Sequence, residues 1–408
     1  MITDFIGEFM FHPAPLEVSG NTCSHGCVYC YANIRKSQRT IDLKSIIRQI
    51  NKKEVKTYQD ALIKEGYPIC FSNKTDPFSK SNYIQSIALA HEFTKIKNGL
   101  FIQTKGGEGI DDFLKAINYK KEIVWYITIT TINETTRKRI EPGAPTSEER
   151  FKLAKKLKDL GYLVVIALNP VLESWLPLND LEIYMQKCKD IQIKHICIEP
   201  LHLNEREVAS FSPKRLKRFK PEEIKYATNK KAYSYQNYGK QIIPILKSNG
   251  FEVVKVGNAL YSEFFYDIRK VYKHIFPNQY DFINYCHNEI KKGIVTFDEF
   301  YKCSVDNKPF FEREFKYVNK YILKSNINVW SASKEAKSIF SLKGVMRFIW
   351  NNKQFQSSMC RSKAFRIVID EKENPVLDKQ NNIQLYFNGG IYPKPERMIT
   401  LNQINDEK

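Results

Sequence analysis

The chain has 408 residues, 42% of them hydrophobic and 27% charged, which is enough to bury a large core and to form two domains. No apolar run approaches the roughly eighteen residues that a membrane-spanning helix needs, and the opening Met-Ile-Thr-Asp-Phe-Ile-Gly-Glu carries acids where an export signal would carry Lys or Arg. The formal net charge is +19 and uneven: residues 1–205 hold 28 Lys and Arg against 24 Asp and Glu, whereas 206–408 hold 36 against 21.

Residues 16–19 predict a first short strand. Directly after it comes Asn-Thr-Cys-Ser-His-Gly-Cys-Val-Tyr-Cys-Tyr-Ala-Asn, with Cys23, Cys27 and Cys30 spaced Cys-x3-Cys-x2-Cys. A structural zinc site normally takes four ligands as two separated pairs. Three thiolates on one short loop instead suit three irons of a [4Fe–4S] cube and leave the fourth iron open to a substrate or cofactor. A zinc site completed by His25 or a distant ligand, and three unrelated buried thiols, are the competing readings. The nine cysteines are odd in number and otherwise scattered, which argues against a disulfide framework and for a reducing, cytoplasmic setting.

Beyond this loop, strand-like runs at 68–73, 100–105, 122–131, 162–169 and 195–200 alternate with helix-like stretches at 34–50, 80–96, 110–118, 147–160 and 178–188. Ser147 reads as the cap of the fourth helix, with Phe151, Leu153, Ala154 and Leu157 on its apolar side and Leu160-Gly161 as its stop. Six strands alternating with helices imply a parallel sheet with right-handed crossovers. The predicted class is α/β over 1–205, with six units too few to close an eight-fold TIM-like barrel, followed by a basic α+β region over 206–408. Chemistry in such barrels gathers at the carboxyl ends of the strands, where the cysteine loop falls. Strand parity turns Tyr126, Thr128 and Thr130 inward, with Gln103, Lys105, His195, Cys197 and Glu199, and leaves the Ile and Trp positions to pack under helices.

The cysteine spacing, with Tyr29 directly before the third cysteine, resembles the signature of radical S-adenosylmethionine (SAM) enzymes. Further segments resemble the spore photoproduct lyase-like branch of that superfamily over about residues 15–205: Ser-Asn-Lys-Thr-Asp-Pro-Phe (72–78), Gln-Thr-Lys (103–105), Ile-Thr-Ile-Thr-Thr (127–131), Glu-Pro-Gly-Ala-Pro-Thr-Ser-Glu-Glu-Arg (141–150) and Asn-Pro-Val (169–171). The resemblance implies that the six units form a partial (β/α)6 TIM-like barrel, and that Cys23, Cys27 and Cys30 hold a [4Fe–4S] cluster whose open iron is chelated by SAM. One electron, from a donor such as flavodoxin or ferredoxin, would then release a 5′-deoxyadenosyl radical. It implies that Tyr29, Ser72, Asp76, Lys105 and Thr130 line the SAM pocket. Lys105 has its own argument, since a cation ending an inward-facing strand suits the methionine carboxylate. The lyases of this branch return a hydrogen atom from a cysteine three residues before the Asp of the Thr-Asp-Pro segment. Asn73 stands there, so thymine-dimer reversal is not expected, and Cys197 is the candidate donor from another wall, against a plain packing role for its thiol.

In the second half, strand-like runs at 251–256, 365–369 and 383–387 mix with helix-like ones at 259–276, 311–323 and 334–340. Lys214, Arg215, Lys217 and Arg218, followed by Tyr233 and Tyr235, suit phosphate contacts with base stacking, and equally a solvated helix and its loop. A basic half beside a near-neutral one points to DNA or RNA, although an AT-rich genome would produce the same lysine excess. The expected function is a radical SAM enzyme that abstracts hydrogen from a nucleic-acid component. The alternatives are the same chemistry on a peptide or small metabolite, and a non-catalytic iron–sulfur protein that binds nucleic acid.

Overall fold

Short β-branched runs, each followed by an amphipathic helix, build one sheet of seven parallel strands in sequence order. They are β1 (Glu17–Val18), β2 (Ile69–Phe71), β3 (Leu100–Thr104), β4 (Ile123–Thr128), β5 (Leu163–Leu168), β6 (His195–Ile198) and β7 (Glu252–Val254). The connecting helices are α1 (Leu43–Ile50), α2 (Tyr83–Thr94), α3 (Ile110–Ala116), α4 (Glu134–Ile140), α5 (Ser147–Asp159), α6 (Leu178–Asp190), three short ones, α7 (Glu205–Ala209), α8 (Pro213–Leu216) and α9 (Pro221–Thr228), and then α10 (Lys240–Ser248). This is the expected parallel α/β partial barrel, with one strand more. The structure, a computed structural model, describes residues 16–18, 20, 22–30, 42–56, 60, 63–64, 66–72, 75–199, 201, 203, 205–228, 238–254, 267–268, 270–272, 282–283, 285–305, 342–351, 359–361, 364–389 and 398–406.

Parity within the strands divides the sheet as its sequence predicts. On the outer face Phe71 packs against Phe93 and Phe113 at 5.8 Å, and Phe78 stacks on Trp125 at 5.9 Å, under α2 and α3. On the inner face Phe101 meets Tyr126 with centroids 4.3 Å apart, and the Tyr272 hydroxyl donates to the Leu100 carbonyl at 2.6 Å. Register places Thr128, Ala167 and Cys197 side by side on that inner face. The start of α5 corrects one expectation. Its cap is Thr146, which forms a reciprocal box with Glu149, while the Ser147 hydroxyl donates to the Thr131 carbonyl at 2.6 Å.

The chain divides into two compact units, one of residues 17–51 and 68–274 and one of 1–16, 52–67 and 275–408. The division therefore lies near 275 rather than at 205. The predicted strand at 251–256 belongs to the first unit, because as β7 it pairs in parallel with β6 and so extends that unit's sheet. The second unit is α+β: a four-stranded sheet in the order β11 (Met398–Thr400), β9 (Phe365–Ile369), β10 (Leu385–Phe387), β8 (Gly293–Val295), with helices α11 (Phe297–Val305), α12 (Leu342–Asn351) and α13 (Leu401–Asp406). Its core is aromatic, with Phe282, Phe300, Trp350, Phe365 and Phe387 buried together, and the Trp350 indole donates to the Ile383 carbonyl at 2.8 Å. The predicted helices at 311–323 and 334–340 lie outside the described residues, as does most of the one at 259–276.

Candidate active site

The cysteine loop leaves the carboxyl end of β1 and turns at Gly26, whose φ of +60° is left-handed and favours glycine. Cys27 is buried, while Cys23 and Cys30 are part-exposed. The Cys30 amide donates to the Cys27 carbonyl at 3.2 Å, and Cys27 lies within electrostatic reach of both other thiols. Burial pushes the Cys27 thiol far above its ordinary value and raises Cys23 as well, where the Asp76 charge adds to the effect.

Three segments hold this loop. The first is the 75–82 turn that follows β2. Asn82, fully buried, donates to the carbonyls of Thr22 at 2.9 Å and Asp76 at 3.0 Å, and the Ser24 amide donates to the Ser81 hydroxyl at 3.2 Å. The Asp76 carboxylate is fully engaged. It accepts from the Phe78 amide (3.0 Å), the Thr104 hydroxyl (2.7 Å) and the Lys105 amide (2.6 Å), and the His25 Nε2 lies 3.2 Å away. Burial works against its charge, but the His25 contact and these hydrogen bonds prevail and hold the carboxyl below its ordinary value. Asp76 thus ties the loop to the ends of β2 and β3.

The second is the Glu-Pro-Gly-Ala-Pro segment after α4. The Gly143 amide donates to the His25 carbonyl at 2.9 Å, and the Val28 amide to the Ile140 carbonyl at 2.9 Å. A side chain at 143 would put its Cβ 2.3 Å from the Ser24 carbonyl oxygen, so only glycine permits this approach. Glu141 is the centre of the segment. Its carboxylate accepts from the Tyr29 hydroxyl and from Thr130 Oγ1 (3.1 Å), and it pairs at 2.5 Å with Arg150, both side chains wholly buried. Arg150 also donates to the carbonyls of Pro145 (3.0 and 2.8 Å) and Thr128 (3.0 Å). Burial opposes the Glu141 charge, and Arg150 and Lys105 outweigh it, leaving the carboxyl below its ordinary value.

The third is the α7–α9 region. Phe211 and Phe219 stack at 6.1 Å and join Val28, Ile140, Leu172 and Trp175 in one buried cluster, with Tyr29 packed against it. Glu223 anchors this region, accepting a two-pronged contact from Arg139 at 2.8 Å and the Trp175 indole at 2.7 Å. Here one expectation is corrected. Arg215, assigned to phosphate, points into the protein: its Nε donates to the Val28 carbonyl at 2.6 Å and its Nη2 to the Cys30 carbonyl at 2.8 Å, with the guanidinium 3.5 Å from the centroid of the Phe211 ring. Lys214 and Lys217 are exposed, and Arg218 is half-buried with its carbonyl accepting from Arg139 at 2.7 Å. Tyr233, Tyr235 and Asn73 lie outside the described residues.

The other predicted cofactor residues fall around the same strand ends. The buried Ser72 hydroxyl meets the Thr75 hydroxyl at 3.2 Å, and Thr75 in turn accepts from the Gly20 amide at 3.2 Å. Thr130 is fully buried and directed to Glu141, and Tyr29 is pinned by Glu141 with its ring 5.3 Å from Trp175. Lys105 differs from these. Among the described residues no hydrogen bond or salt bridge engages its ammonium, which sits 5.6 Å from the centre of the Tyr29 ring in the field of Cys27 and Glu141. Cys197 is buried on β6 within electrostatic reach of Tyr126. Sequence reasoning missed Glu141 and Arg150 as the hub and Arg215 as a loop contact. An acid and an arginine flanking a Pro-Gly-Ala-Pro turn were a usable signal for the first pair; nothing local signals the third.

Among the described residues no three His, Cys, Asp or Glu side chains form a ready-made metal cage. The donor set nevertheless fits an iron–sulfur centre: three free thiols lie within eight residues on one clamped turn, and each would give up its proton on binding iron. The Radical SAM superfamily model matches residues 18–173. A curated relative, "Uncharacterized protein ORF301" of Acidianus two-tailed virus, is 24% identical over 198 residues, 44% of this chain; the chain spans 64% of that relative's length. Among solved structures, spore photoproduct lyase complexed with dinucleoside spore photoproduct is 14% identical with a TM-score of 0.43, covering 60% of this chain and 76% of its own. Streptococcus suis SuiB bound to S-adenosylmethionine is 10% identical with a TM-score of 0.39, covering 63% and 55%.

Proposed function

We infer that this chain, whose residues 18–173 match the Radical SAM superfamily model, is an enzyme that cleaves SAM and uses the radical to abstract hydrogen from a nucleic-acid component. The observation that carries the reading is the clamped three-thiol loop at the strand ends beside Lys105, whose ammonium has no hydrogen bond or salt bridge among the described residues. Cys23, Cys27 and Cys30 would hold a [4Fe–4S] cluster. When bound, cluster and SAM supply one-electron cleavage of the sulfonium and a carbon-centred radical. The chain's own contribution is placement. Lys105 offers its ammonium to the methionine carboxylate, while Asp76 and Glu141 hold the walls around it. Phe101 and Tyr126 make part of the inner face aromatic and buried, and Cys197, beside Thr128 and Ala167 on that face, is the thiol we assign to the return of a hydrogen atom. Exposed Lys214 and Lys217, beside the loop-bound Arg215, give a polyanion a first hold, in keeping with the basic second half.

The test is anaerobic. Reconstituted protein should hold about four irons per chain, and the reduced protein should turn SAM into methionine and 5′-deoxyadenosine. Replacing the three loop cysteines together with Ala should remove both properties. Stoichiometric zinc without iron sinks the reading. Iron with SAM cleavage, but no binding to DNA or RNA at low salt, redirects it to a peptide or small-molecule substrate.

A further inference from the structure

The cysteine loop is gripped by a residue far from it in sequence. The Arg215 guanidinium reaches across to the two main-chain carbonyls that flank Tyr29, those of Val28 at 2.6 Å and Cys30 at 2.8 Å. No other side-chain contact to either carbonyl is found among the described residues. Its planar fork lies on the Phe211 ring at 3.5 Å, and Phe211 is only 6% exposed, so the donor is itself held in place. The region that carries it is fastened separately through Glu223, which takes both prongs of Arg139 and the Trp175 indole and is 1% exposed. Burial works against the Arg215 charge, and the nearby thiols of Cys30 and Cys27 favour it.

We propose that Arg215 is a positioning residue of the cysteine loop: from the α7–α9 region it fixes the Val28–Cys30 backbone, and with it the presentation of the Cys27 and Cys30 thiols to a bound cluster. This rests on the cluster assignment above, but the hold on the backbone exists without metal. The neighbours divide the labour. Lys214 and Lys217, one and two positions away, are exposed and free to meet a ligand, whereas Arg215 faces the loop. Lysine cannot replace it fully, because a single ammonium does not span two carbonyls with a rigid fork.

The experiment compares full-length wild type with Arg215→Ala, Arg215→Lys and, as a neighbour control, Lys214→Ala. Amide hydrogen exchange is followed in the metal-free and the reconstituted protein, together with iron release to a chelator and the electron paramagnetic spectrum of the reduced cluster. Loss of two charge-assisted hydrogen bonds should speed exchange over residues 23–30 by roughly ten-fold or more in Arg215→Ala, with β5 unchanged as the internal control for folding. Iron release should quicken by a similar factor, Arg215→Lys should fall between, and Lys214→Ala should match wild type. Unchanged exchange and iron release in Arg215→Ala overturn the proposal. If that variant loses protection throughout, Arg215→Lys decides: faster exchange confined to 23–30 supports the proposal, and wild-type exchange there overturns it. A wild type that takes up no iron defeats the cluster assignment alone, since the metal-free exchange still judges Arg215.

Discussion

Replacing Glu141 with Ala should be among the most damaging single changes in the first unit. Its side chain and that of Arg150 are both wholly buried and 2.5 Å apart, so removing the carboxylate leaves a guanidinium in the interior without its counter-charge. Breaking a buried pair from one side costs about 3–5 kcal/mol. The hydroxyls of Tyr29 and Thr130 lose their acceptor at the same time. Three carbonyl contacts remain to Arg150, which moderates the loss, so about 4 kcal/mol is the expected figure. Urea unfolding of the metal-free full chain, read by circular dichroism and tryptophan fluorescence, measures it. The double variant Glu141→Leu with Arg150→Met removes both charges and should recover most of the stability, because the penalty lies in the unpaired charge. A Glu141→Ala cost below about 1 kcal/mol, or a double variant no better than the single, would refute the claim that this pair is the hub of the loop's support.

Gly143→Ala must displace the Ser24 carbonyl, which lies 2.3 Å from the new Cβ, and should cost about 1–3 kcal/mol with faster iron release; wild-type behaviour would show that the segment does not clamp the loop. Lys105→Ala should weaken SAM binding by calorimetry while leaving iron content near wild type, since its ammonium touches no thiol directly; equal loss of iron would mean the residue is misassigned. If Lys214 and Lys217 meet phosphates, neutralising both should reduce the slope of log affinity against log salt by about 1.4–1.8, and an unchanged slope would remove them from the interface.

The alternation of apolar runs with amphipathic stretches was enough to predict parallel βα units, because a strand feeding a helix has few other ways to bury both apolar faces. Parity along 122–131 likewise separated Trp125 from Tyr126 before any coordinates, since successive side chains must point to opposite faces. Cys23, Cys27 and Cys30 were legible for the same local reason: eight residues of chain contain the whole donor set. The seventh strand was also visible as a strand, but its partner was not, because pairing with β6 is a contact across more than fifty residues that no local pattern encodes.

What the tertiary structure decided is the job of each polar residue. The resemblance placed Asp76 and Thr130 along the SAM pocket; the fold adds that Asp76 pairs with His25 and accepts from Thr104 and Lys105, and that Thr130 donates to Glu141. Arg215 sits in a basic run that reads as one phosphate-binding surface, and only the folded chain shows it turned onto Val28 and Cys30, 187 and 185 residues away. Sequence specifies which groups carry charge and which faces are apolar, because these are properties of single residues and their near neighbours. Whether a given charge meets solvent, a ligand or another part of the chain depends on which distant segments fold against it, and that is settled only when the whole core closes.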